Sequence, residues 1–249
     1  MSTAQIIAII AAVIIGAVVK SVTGMGLPLI AVPIITLFAG AETAIATLAI
    51  PNTVQNLVLV VNNRAHRHRS VGLGRFALAG IAGAVIGTLA LGTVPEWMIT
   101  VLLIVIVSAY LISVIVSPDY RLDPSTARRW SPATGTAAGI FQGASGISGP
   151  LVASWFHALR LERGPFVFSI ATVFLVSGGA QAVVLASTGL LDGRLIVSAM
   201  LTVIVVATIP LGPVLSAKLG SRGFDRAVLA LLAASTIALV IELSISALR

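Results

Sequence analysis

The sequence predicts an all-α polytopic membrane protein built from two inverted-topology repeats, each a broken, re-entrant helical hairpin plus three transmembrane helices. Three observations lead there. Of the 249 residues, 58% are hydrophobic and only 9% are charged, with a mean hydropathy of +1.11, which is more apolar surface than a water-soluble globule can hide. The stretch Lys20-Ser21-Val22-Thr23-Gly24-Met25-Gly26-Leu27-Pro28-Leu29 places a cation, two glycines and a proline inside an apolar run. It returns as Gln142-Gly143-Ala144-Ser145-Gly146-Ile147-Ser148-Gly149-Pro150-Leu151, with Thr23, Gly24, Pro28 and Leu29 matched by Ser145, Gly146, Pro150 and Leu151 at one offset, 145 − 23 = 122.

The composition also narrows function. A formal charge of +7 fits anionic lipid or a positive cytoplasmic face, whereas a nucleic-acid partner would need basic patches on a soluble surface. Cysteine is absent, so disulfides and thiolate metal sites are excluded; neither a metal nor a cofactor is expected. The first positive charge is Lys20, so the first apolar run has no basic segment before it and does not read as a cleaved signal peptide.

A spanning helix needs about 20 apolar residues. Runs of that size lie near 42–62, 75–93, 96–117, 164–187, 195–217 and 226–247, and the apolar stretches 3–39 and 132–159 are the two that the glycine motif interrupts. Charge decides how the interrupted stretches run. Arg64, Arg67, Arg69 and Arg75 form one basic group; Arg121, Arg128 and Arg129 a second; Arg160 and Arg163 a third; Lys218, Arg222 and Arg226 a fourth. If all four face the cytoplasm, as the inner excess of Lys and Arg requires, the stretch between Arg129 and Arg160 must return to the side it left. It is then a hairpin entered from the cytoplasm, and the first interrupted stretch is one entered from outside. The repeats so defined cover 1–117 and 132–249, and 118–131, opened by Pro118 and Asp119, reads as a cytoplasmic linker. Paired broken elements in inverted repeats are the pattern of a secondary transporter with its site near the midplane.

The motif has a physical logic. Glycine lets the backbone turn sharply and approach another group closely, and proline suits the first turn of a helix. Each motif therefore reads as a tip followed by a new helix start, with Pro28 and Pro150 as structural hinges. Helix starts expose unpaired N–H groups and the positive end of the helix dipole, which together favour an anion. The candidate substrate-binding residues are accordingly Lys20, Thr23, Gly24, Met25 and Gly26 from the first motif, and Gln142, Ser145, Gly146, Ser148 and Gly149 from the second. Thr23, Ser145 and Ser148 would add hydroxyl donors and Lys20 a charge; the alternative is that the glycines only permit close packing, as the G-x-x-x-G spacing of Gly83 and Gly87 does. Lys20 either faces a cavity or snorkels to an interface.

Asn52, Gln55 and Asn56 fall on one helical face and join the candidates, as do Ser177, which the offset pairs with Gln55, and Gln181 one turn further; such amides either bind substrate oxygens or bond neighbouring helices. His157 reads as packed or interfacial rather than as a proton carrier, and His66 and His68 as solvated. Glu42, Glu96, Asp192 and Glu242 sit at span ends, where carboxylates reach water.

These residues resemble the sulfite exporter TauE/SafE family. Its first-half pattern is similar to Gly24-Met25-Gly26-Leu27-Pro28-Leu29-Ile30-Ala31-Val32-Pro33, and its second-half pattern to Gly146-Ile147-Ser148-Gly149-Pro150; the resemblance covers essentially the whole chain. It implies a multi-pass protein of the bacterial cytoplasmic membrane that transports small sulfur-containing anions such as sulfite, sulfoacetate or related organosulfonates, with export the better-known direction. The residues themselves point to an anion and a transporter, not to sulfur. Other readings are an anion channel built from the same tips and a transporter of another small organic anion. An intramembrane protease built on Gly143-Ala144-Ser145-Gly146 would need a histidine base from a later span, and none follows His157. No catalytic residue is therefore expected. The expected partners are a small anionic substrate, the lipid bilayer and, through G-x-x-x-G faces, a second copy in a homodimer.

Overall fold

The computed structural model describes residues 2–91, 95–116 and 121–247. Among them are ten α-helices and one short 3-10 turn, Arg64–Arg69, with no strand. The first residues of the expected linker, 118–120, lie outside the described residues, as do the side chains of Glu96, Arg222 and Glu242. Four helical stretches among those described are long and apolar enough to cross a membrane, namely Thr3–Thr23, Ala41–Asn62, Arg163–Ser187 and Leu195–Leu215. The protein is an all-α polytopic membrane protein.

The first half begins with α1 (Thr3–Thr23), opened by a capping box of Ser2 and Gln5 and closed at Gly24, whose φ of 85° is left-handed. Helix α2 (Leu27–Ala39) starts after Gly26, with Pro28 in its first turn. Then come α3 (Ala41–Asn62), α4 (Leu73–Leu89) and α5 (Glu96–Val116). The second half repeats the plan. Helix α6 (Pro124–Ser145) ends at left-handed Gly146, α7 (Gly149–Ala158) starts with Pro150 in its first turn, and α8 (Arg163–Ser187) and α9 (Leu195–Thr208) follow. Both interrupted stretches are thus broken helices, as expected from glycine at the stop and proline at the restart.

Two boundaries differ from expectation. Helix α6 begins at Pro124, inside the segment read as a linker through 131, because the Asp123 carboxylate accepts from the N–H groups of Ser125 (2.8 Å) and Thr126 (3.2 Å) and so caps the helix. The span expected at 195–217 is interrupted at Ile209–Pro210, since proline cannot donate to the helical ladder; α10 (Leu211–Ala247) then continues through a non-helical Gly220.

The halves contact each other reciprocally. Gly24 lies against Val167 of α8, and Gly146 against Ile45 of α3, with 167 − 45 = 122. Met25 at the first tip packs with Leu151, Phe156, Phe166 and Phe174, whereas Ile147 at the second packs with Leu27, Ala31 and Leu48. Each tip therefore inserts into the core of the other half. Helices α4 and α6 meet backbone to backbone: a Cβ at Gly83 would strike the Thr136 carbonyl, one at Gly87 the Ile140 carbonyl, and one at Gly139 the Gly80 carbonyl. Gly83 and Gly87 are close-packing glycines within the chain.

The basic loops gather at one end. Arg69 pairs with Glu162 at 2.9 Å; Arg128 shares a cleft with Arg67 and Arg75; Arg163 shares another with Asn63 and Ala217. At the other end of α3, some 30 Å away at 1.5 Å per residue, Glu42 pairs with Arg194 at 3.0 Å.

Candidate functional site

The site grows from the end of α1. Its last turn carries Lys20, a position where the helix dipole favours a cation, and the side chain is 1% exposed. The Lys20 Nζ donates to Asn52 Oδ1 on α3 and sits 5.2 Å from the centroid of Phe174 on α8, within cation–π range. Around it lies a cavity lined also by Met25, Gly26, Pro28 and Leu29 from the first break and by Gln142, Gly146, Ile147 and Gly149 from the second. No carboxylate lines it among the described residues.

The lining follows the repeat. Lys20 and Gln142, Met25 and Ile147, and Asn52 and Phe174 are each separated by 122 positions (142 − 20, 147 − 25, 174 − 52), and all six meet at this one cavity. One side of the pseudo-symmetric pair supplies a cation and an amide, the other an amide and an aromatic face. Neither α2 nor α7 has a side-chain cap. Their ladders begin with Ile30 N–H to Gly26 O and Val152 N–H to Ser148 O, both 3.0 Å, so the N–H groups before them are the orphan donors of a helix start. Two helix starts and one lysine thus converge on a space of about 10 Å³, roughly that of one water.

Gln142 is held by its neighbours. Its Nε2 donates to Gln181 Oε1 (3.0 Å), its Oε1 accepts from Ser148 Oγ (2.9 Å), and Gln181 Nε2 donates to the Gln142 carbonyl (2.8 Å). Gln181 and Ser148 are therefore orienting residues set behind the cavity wall.

Several expected site residues stand elsewhere. Thr23 and Ser145 do not line the cavity. Thr23 Oγ1 donates to the carbonyls of Val19 (3.0 Å) or Met25 (2.7 Å), and Ser145 Oγ to those of Phe141 (2.8 Å) or Ile147 (3.4 Å), because a hydroxyl at a helix end reaches back to the preceding turn. They shape the breaks, and Ser145 is in the setting of a turn hydroxyl, not of a nucleophile. Gln55 braces α3 on α1, its Nε2 donating to Ala17 O (2.8 Å) and Ser21 Oγ (3.1 Å). Ser177 bonds the Val173 carbonyl at 2.7 Å, and Asn56 is buried off the cavity. Gly24 and Pro150 serve the turns without lining the space. His157 is buried edge-on to Phe166 at 6.2 Å. His66 is half-buried against Gly164, in contrast to its expected solvation, while His68 is exposed.

Leu29, Ile147 and Phe174 line the cavity and were not singled out by the sequence. For Phe174 a signal existed, since it is the offset partner of Asn52.

Residues 8–239 match the family described as Sulfite exporter TauE/SafE. The chain belongs to this family. It is thus a multi-pass membrane protein of a transporter family, which agrees with the lysine-bearing cavity between two broken helices. Comparison of this TauE/SafE protein with curated proteins and with solved structures finds no match.

Proposed function

We propose that this TauE/SafE protein is a secondary transporter, working as an exporter, of small sulfur-containing anions such as sulfite or sulfoacetate across the bacterial cytoplasmic membrane. The observation that carries the reading is Lys20, a fully buried cation facing an amide and an aromatic ring, with no carboxylate among the described residues of its cavity. Burying an uncompensated charge costs several kcal/mol, and a bound anion would offset that cost. The oxygens of a sulfite or sulfonate would take N–H donors from the starts of α2 and α7, the amides of Asn52 and Gln142 and the ammonium of Lys20. Sulfur as the central atom comes from the family; the oxyanion character comes from the cavity.

Halves 1–117 and 132–249 act as inverted repeats in this proposal, and alternating access follows from movement of the broken hairpins and adjacent spans against the remaining helices. The tight space favours a transporter over a channel, because a multi-atom anion enters only when the two breaks move apart. Counterflow in proteoliposomes tests this: vesicles loaded with sulfite, sulfoacetate, taurine, sulfate or chloride should exchange a labelled sulfonate saturably and only with the sulfur oxyanions. Flux that rises without saturation would identify a pore, and exchange with chloride alone would remove the substrate class.

A further inference from the structure

A second cleft lies at the basic end, sharing no lining residue with the Lys20 cavity, and nothing in the transport reading uses it. It measures about 650 Å³, a size typical of small-molecule sites. Three arginines line it from three separate elements: Arg67 from the turn after α3, Arg75 from the first turn of α4 and Arg128 from α6. All three are exposed, and Arg67 Nε is bonded only sideways to His68 Nε2 at 2.9 Å. Among the described residues no carboxylate lines the cleft. The described acids nearest in the chain are engaged elsewhere, Glu162 by Arg69 and Asp123 by the start of α6. Three unneutralised guanidinium groups around one cleft repel one another, and an anion with several oxygens relieves that repulsion while accepting forked hydrogen bonds.

Beyond His68, Ser70 and Thr172, part of the remaining wall is apolar. Leu73, Ala77 and Phe168 line the same cleft, and Leu78 beside it on α4 is 71% exposed, as a lipid-facing side chain would be. A soluble phosphate would use the arginines and leave this wall idle; an acidic phospholipid uses both, with its phosphate on the guanidiniums and its first methylenes on Leu73 and Phe168. Basic pockets between helices on the cytoplasmic side suit such headgroups. We propose that the cleft between α4, α6 and α8 is a binding site for the phosphate headgroup of an anionic phospholipid. Because it joins α4 and α6 of one half each to α8, an occupied cleft would tie the two halves together at that end.

The test is native mass spectrometry of the full chain released from vesicles holding equal phosphatidylglycerol and phosphatidylcholine. The expected result is retention of phosphatidylglycerol over phosphatidylcholine by at least about fivefold, the worth of one basic side chain near an anionic headgroup. That preference should vanish in Arg75→Gln/Arg128→Gln. It should persist in Arg75→Lys/Arg128→Lys, which keeps the charge, and in Arg64→Gln, which removes a charge outside the cleft. Equal retention of the two lipids by the wild type, or a preference untouched by the double glutamine variant, overturns the proposal. Displacement of the lipid by millimolar inorganic phosphate also overturns it, by assigning the cleft to a soluble anion. Transport of sulfur anions plays no part in this readout, so its failure and the failure of the transport reading are separable.

Discussion

Replacing Lys20 by methionine separates a binding lysine from a structural one. The unbranched methionine fills nearly the same space, so the change removes charge and donors with little loss of packing. If an anion sits on Lys20 Nζ, the variant loses one partner of a buried charge pair, which costs about 2 to 5 kcal/mol, or about thirtyfold to several thousandfold in Kd. Folding should respond differently. The variant leaves Asn52 Oδ1 without its donor, a cost of about 1 to 3 kcal/mol, but it also releases the desolvation penalty of a buried ammonium, several kcal/mol. The unliganded protein should therefore be as stable as wild type or more so. Isothermal titration of sulfite into the purified full chain, with thermal unfolding in the same detergent, measures both quantities. Sulfite affinity within about threefold of wild type, ~0.65 kcal/mol, or a large fall in stability, would rule out Lys20 as the anion's partner.

The tight contact of α4 and α6 predicts that Gly139→Leu, whose side chain meets Gly80 and Ala84, lowers stability by at least about 1 to 3 kcal/mol, whereas Gly179→Ala, with open space around its Cβ, leaves it unchanged or slightly raised; unfolding midpoints decide. Gln181→Leu should leave Gln142 Nε2 unpaired, costing about 1 to 3 kcal/mol, and should weaken sulfite binding less than Lys20→Met in the same titration. The bonds from Ser125 and Thr126 hold the Asp123 carboxyl below its usual pKa. A carboxylate lowered on folding stabilises above its unfolded pKa of about 4 and loses that contribution as pH falls through the lower folded value. Unfolding midpoints of the wild type should accordingly drop on acidification in this window more steeply than those of Asp123→Asn.

The architecture was legible wherever residue type contrasts with its surroundings. Glycine and proline inside apolar runs have few uses, so Gly24, Gly146, Pro28 and Pro150 marked both breaks, and a common offset of 122 marked the repeat. Lys20 stood out for the same reason. Where an apolar residue lies among apolar residues the contrast disappears, and Leu29, Ile147 and Phe174 were hidden until the helices were placed. Hydroxyls misled in the other direction: Thr23 and Ser145 carry donors at the right positions, yet their own turns consume them. The early start of α6 was written in Asp123-Pro124, an N-cap followed by a proline at the first helical position, but a search for apolar runs passes over a helix whose first turns hold Arg128 and Arg129. Gly135, Gly139 and Gly143 likewise carried a readable G-x-x-x-G spacing that matches α4.

In the proposed transport cycle the anion lies between the two helix breaks against Lys20. A crystal structure of the full chain with 2-bromoethanesulfonate measures this directly, since bromine locates the ligand by anomalous scattering. The ligand should lie between Gly26 and Gly149, with a sulfonate oxygen about 3 Å from Lys20 Nζ and the bond from Lys20 to Asn52 broken or shared. A ligand found anywhere else, with Lys20 still bonded to Asn52 and the space between the breaks closed, would contradict this placement.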